Sequence, residues 1–257
     1  MNPHRSLVRM IGATTLAMLL VACTDRASDQ SPPAVPDAVD PTVSGVRILN
    51  DCPELPCGGV LEPGEYRWTF SEPRLDFEVP SPGWSWLFSG GGNLTLFADE
   101  SPTHEGVYVS DGVYFLHDPT IASRDCEDSS EPGVGRSMGD LVAWLETAPG
   151  LVVSEPTPVA VGGLEGMQLD IEIDPTWERT CFWSGKLPAV PLLYNGKALG
   201  GYNWPILPDQ SMRWYILESD DGVIVVDVDD GPDNLSHEEV LRTGEEIVDS
   251  LTFSWQS

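Results

Sequence analysis

One stretch has the spacing of a hydrolase nucleophile: Gly135-Arg136-Ser137-Met138-Gly139, a G-x-S-x-G match. In that motif the serine sits on a sharp strand-to-helix turn, with its hydroxyl exposed and a histidine placed to take its proton. The flanks here suit it poorly. SSEPG at 129–133 is loop sequence, not the buried apolar strand an elbow needs. The only histidine that follows is His237. His117, with Asp118 beside it, is a second general-base candidate, and His104 stands alone in SPTHEG. A simpler role covers the same residues. Leu141, Trp144, Leu145 and Ala148 recur at helical spacing, and Ser137 with Asp140 three residues on reads as a capping box. Pro149-Gly150 then ends the helix. The expectation is a helix cap and no catalytic residue. The alternative is a serine hydrolase using Ser137 with His237 or His117.

Two further groupings could bind a ligand. DVDDGPDN at 227–234 is rich in carboxylates. Placing Gly231 at the sixth position of a calcium loop puts Val226 at the first, where a ligand is required, so the EF-hand register fails. An irregular calcium site at Asp229, Asp230 and Asp233 remains, against a solvated turn after a strand. Trp84 and Trp86, in PGWSWLF, point to one side of a strand. Such a pair stacks on sugar rings in a carbohydrate-binding module, or packs in the core. The glycines of GGLEGM open a strand and not a helix, so they make no phosphate cradle.

The first residues say where these groups would work. Arg5 and Arg9 precede an apolar run at 10–20, too short to span a bilayer and of the length of a signal-peptide core. Leu20-Val21-Ala22-Cys23 resembles the bacterial lipobox. That resemblance implies a signal peptide over 1–22 and a diacylglycerol on the Cys23 thiol. The chain would then be lipid-anchored on the extracytoplasmic face of the cell membrane. The full sequence carries a formal charge of −28. Removing 1–22 leaves 11 basic against 41 acidic residues, a charge of −30. Such a chain is repelled by phosphate backbones, which excludes nucleic acid, and by anionic headgroups, so the acyl chains must hold it to the membrane. Four cysteines remain, an even number in an oxidising compartment. Cys52 and Cys57 lie in one Pro-containing turn and pair locally, which leaves Cys126 with Cys181. Zinc held by the four is the alternative, at a spacing that suits it badly.

Residues 23–45, rich in Pro, Asp and Ser, read as a disordered, lipidated tether. Residues 46–257 read as a single domain. It opens with strands at 65–70, 74–79, 84–88, 93–97 and 112–118, separated by turn chemistry. The capped helix follows, then an alternating strand at 167–173 and an irregular, Pro-rich span at 174–211. A hairpin comes next (212–219 and 223–230). A second helix is capped by Ser236 with Glu239, with Val240, Leu241, Ile247, Val248 and Leu251 on its apolar face, and a short strand ends the chain. This order predicts an α+β fold, an antiparallel sheet with two packed helices.

YRWTF…LDFEVPSPGWSW, GRSMGDLVAWL…PG, VGGLEGMQLDIEI and IVDSLTF together resemble an uncharacterised family of exported bacterial lipoproteins. GGLEGMQLDI through EEIVDSLTF is also similar to PsbP-like domains, which implies an α/β/α sandwich and no particular activity. The function expected from all this is a non-catalytic binding or accessory module of the cell envelope, whose partner is an envelope protein or a glycan.

Overall fold

The computed structural model describes residues 39–43, 45–49, 57–69, 71–88, 93–98, 111–196, 202–231 and 237–255. The span read as a signal peptide, Cys23, Cys52, His104, Asp233 and Ser236, the expected cap of the second helix, all lie outside them. The strands before the first helix are β1 (Val39–Val43), β2 (Val46–Leu49), β3 (Cys57–Leu61), β4 (Gly64–Trp68), β5 (Arg74–Val79), β6 (Trp84–Phe88), β7 (Leu94–Phe97), β8 (Gly112–His117) and β9 (Thr120–Ile121). After α1 (Met138–Thr147) come β10 (Leu151–Val153), β11 (Thr157–Val161), β12 (Leu164–Ile173), β13 (Val190–Asn195), β14 (Tyr202–Ile206), β15 (Ser211–Ser219) and β16 (Gly222–Asp230). The helix α2 (His237–Ser250) and β17 (Thr252–Ser254) close the described chain. β1 falls inside the span read as tether and pairs with β2, so folded structure reaches back to Val39.

The strands form three sheets. A central sheet of nine runs β10-β12-β15-β16-β8-β7-β6-β3, with β11 also on β12. A sheet of five runs β1-β2-β4-β5-β17, and one of three runs β14-β13-β9. The middle strands of the central sheet are apolar on both faces, the composition of a strand covered on both sides. In β16, Ile224, Val226 and Val228 face one core while Val223 and Val225 face another. The first core joins them to Tyr66, Trp68 and Phe77 of the five-stranded sheet and to Val240, Ile247 and Val248 of α2. The second joins the opposite face to Leu141, Trp144 and Leu145 of α1 and to Leu192, Leu193 and Ile206 of the three-stranded sheet. The result is three layers, with the nine-stranded sheet in the middle.

Arg213 of β15 ties the first pair of layers together. Its Nε donates to Asp170 of β12 at 2.7 Å, and its Nη1 donates to Glu245 of α2. The two carboxylates raise the guanidinium's pKa further above its ordinary value, against partial burial.

This architecture overturns the α+β expectation and the PsbP-like α/β/α sandwich with it. Of the described residues, 51% are strand and 13% helix. Both expected helices form, yet each covers only part of its face. Sheets cover the rest, and one of these comes from the span read as irregular. β13 and β14 carry Pro191 and Pro205, which stand opposite one another beside a register shift. Proline cannot donate to a ladder, so a strand that contains one does not read as a strand. Here the strands survive because the sheet is small and packs on a finished core.

Candidate functional site

Ser137 is the N-cap of α1. Its backbone is extended (φ −71°, ψ 158°), and its Oγ accepts from the Asp140 N–H at 3.1 Å. The Ser137 N–H donates to Asp140 Oδ2 at 3.1 Å and the hydroxyl donates to the same oxygen at 2.6 Å. These bonds hold the exposed Asp140 carboxyl below its usual range, the hydroxyl contributing most. The hydroxyl's proton and one of its lone pairs are therefore engaged in the cap. The hydroxyl bonds Asp140 and makes no hydrogen bond to His117. Alternation puts His117 on the face of β8 that carries Val113 and Phe115, toward α2, whereas α1 packs on the face that carries Tyr114 and Leu116. The helix that bears His237 also packs on that far side. Ser137→Ala is expected to cost about 1 kcal/mol, the usual value of an N-cap, in urea unfolding. A serine-directed fluorophosphonate probe is expected to label neither protein; labelling of the wild type alone would restore the hydrolase.

Above the cap lies an open groove of about 540 Å³. Arg136 and Ser137 come from the start of α1, Leu164 from β12, Glu218 from the end of β15 and Asp220 from the β15–β16 turn, and Trp255 is the residue after β17. Arg136 reaches out of this set to Asp118 at 3.1 Å, so its charge is partly balanced. Gly222 is required at the turn: its φ is +133°, and a Cβ there would meet the Asp118 carboxylate at 3.1 Å. Trp255 is 38% exposed and offers an indole face. The groove can hold a ligand by stacking and by hydrogen bonds to carboxylates. It presents no activated nucleophile among the described residues.

A second grouping is buried. Asp227 and Asp229 alternate with valines along β16 and share a face of the central sheet. They are 0% and 3% exposed. Trp204 of β14 donates its indole N–H to Asp227 Oδ2 at 2.8 Å. Trp214, the cross-strand neighbour, lies beside the same carboxyl without closing a hydrogen bond. Gln210 donates to both oxygens of Asp229 at 3.3 Å, while its own carbonyl accepts from the Leu207 N–H at 2.7 Å. Among the described residues no cation pairs with either aspartate. Burial pushes the Asp227 carboxyl up to about 7, against the two indole N–H groups. Asp229 is also raised, by burial first and then by the charges of Asp227, Asp111 and Asp230.

Of the calcium ligands named from sequence, only Asp229 and Asp230 fall among the described residues. Asp229 and Asp230 are consecutive on one strand and point to opposite faces. Both oxygens of Asp229 face Gln210, and Asp233 lies outside the described residues. Among the described residues no three His, Cys, Asp or Glu side chains gather as a metal group.

Trp84 and Trp86 are 3% and 7% exposed and belong to the first core, where Trp86 meets Trp68 edge-on at 5.9 Å. Sugar stacking needs an open ring face, so the ligand contact expected of them is corrected to a packing role. Cys126 and Cys181 are bonded to each other, with Cα atoms 5.5 Å apart, in a small core with Ala189 and Leu207. Cys57 is also disulfide-bonded, and its expected partner Cys52 lies outside the described residues.

Sequence reasoning missed two features. The Asp227–Asp229 pair was visible as acids at alternate positions of an otherwise apolar strand, a pattern that marks a carboxylate turned inward. Trp255 in the groove had no local signal, because its neighbours there come from three distant segments. Compared with known proteins, the chain matches no protein-family model and no curated protein.

Proposed function

We propose that the protein is an extracytoplasmic lipoprotein, anchored through Cys23, whose β-sheet domain binds a ligand or partner and does not transform it. The observation that carries the export half is the Cys126–Cys181 disulfide, buried in a core of its own. Such a bond belongs to an oxidising compartment, which the apolar leader and the Leu20-Val21-Ala22-Cys23 stretch would reach. The binding half is supported by the groove of Arg136, Glu218, Asp220 and Trp255, built over a serine whose hydroxyl is engaged in a helix cap. An envelope protein or a glycan fits the chemistry of an indole face flanked by carboxylates.

Metabolic labelling with radioactive palmitate tests the anchor. The wild type is expected to take up label and sediment with membranes, and Cys23→Ala to do neither. Label that persists in Cys23→Ala would overturn the assignment of the lipid to that thiol.

A further inference from the structure

The loop that carries Cys181 holds two large apolar side chains in solvent and is closed by its own hydrogen bonds and the disulfide. An isolated bridge between Thr180 and Pro188 closes it, and the Ala189 N–H donates to the Arg179 carbonyl at 2.9 Å. The disulfide pins its start to Cys126. Inside, the Ser184 N–H donates to the Cys181 carbonyl and the Leu187 N–H to the Ser184 carbonyl, both at 3.1 Å. The Ser184 hydroxyl accepts from the Cys181 N–H at 3.0 Å and donates to the Leu187 carbonyl at 2.8 Å. Trp183 turns inward onto the disulfide core. Phe182 and Leu187 are left 76% and 50% exposed. Two large apolar side chains exposed on one short closed loop differ from singly scattered ones and point to a contact.

Its charge points to what it touches. Residues 179–189 contain no acid in a chain of net charge −28, and Lys186 is one of only two lysines. Among the described residues Lys186 has no ion-pair partner, and Arg179 leans on Asp125 at 3.2 Å. We propose that this tip is a membrane-contact site. Phe182 and Leu187 enter the headgroup region and Lys186 meets the lipid phosphates, while the acidic remainder of the surface is repelled, so the tip alone makes the approach. Two side chains are far too little surface for a stable protein interface, which needs on the order of 1,200 Å². They are enough to orient a domain already confined at the bilayer, where the anchor supplies the effective concentration. The inference therefore rests on the lipid anchor at Cys23.

The test uses the full chain in its own cell envelope. A benzophenone-bearing phenylalanine replaces Phe182 or, as a control, Val60 of β3, which is 62% exposed. Irradiation is expected to give lipid adducts from position 182 and only background from 60. Lys186→Gln is expected to lower the adduct yield about fivefold, the share of one basic residue at an anionic surface. Both positions are exposed, so these changes leave folding intact. A protein adduct at 182 overturns the proposal in favour of a protein partner. No adduct above the control, in a chain that sediments with membranes, overturns the tip alone. A wild-type chain absent from the membrane fraction overturns the anchor and the tip together.

Discussion

Asp227→Asn is expected to make the domain more stable than the wild type at pH 8 and to leave the two nearly equal at pH 4. The folded-state pKa of Asp227 is raised from 3.8 to about 7 by burial. Folding therefore favours the protonated form. The stability this contributes is fully present below the unfolded value and is lost as pH rises through the folded one. At about 1.4 kcal/mol per pH unit, the loss runs to a few kcal/mol between pH 4 and pH 7. Asparagine keeps the shape and removes the titration. The variant also relieves Asp229, whose own rise owes part to the charge on Asp227. Asp111 and Asp230 remain beside it, so the variant keeps part of the slope. Urea unfolding at pH 5, 6, 7 and 8 checks this. General repulsion in so acidic a chain tilts both curves alike, and the difference between them carries the result. Parallel curves would mean that Asp227 does not hold a proton in the folded state.

Loss of the Cys126–Cys181 bridge is the second large effect. It spans 55 residues, and closing a loop of that size in the unfolded chain is worth about 4 kcal/mol in the chain-entropy model. For a domain of this length that lowers Tm by roughly 10 °C. Cys126→Ala with Cys181→Ala should show that drop by circular dichroism without reductant. Dithiothreitol should lower the wild-type Tm by at least as much. Any further fall in the double variant then belongs to the bond at Cys57. A double variant that melts with the wild type would mean that the bridge closes no entropy worth counting. The bridge also holds the loop of Phe182 and Leu187, so the same variant is expected to lose the lipid adduct at position 182.

What could be read from sequence was local. The Ser137–Asp140 box joins groups three residues apart, and its hydrogen bonds form whatever the rest of the chain does. β5 and β6 fall where alternation put them, and the β15–β16 hairpin turns at Asp220-Asp221. Period and turn chemistry act over a few residues, so a window of that size contains their whole cause.

Only the tertiary structure decided which faces are covered and by what. Trp84 and Trp86 read as core, with a sugar platform as the alternative, until the five-stranded sheet closed over them. Asp229 and Asp230 read as neighbouring ligands until the strand turned them apart and Gln210 claimed one of them. The fold class turned on β13 and β14, whose prolines conceal them from any local rule and whose burial comes from a core completed by α1 and the central sheet. Burial is set by segments far away in the chain, and its free energy depends on area removed from water and not on neighbours in sequence. The groove shows the same limit: Arg136, Leu164, Asp220 and Trp255 share no window of sequence, and the layered sheets alone bring them together.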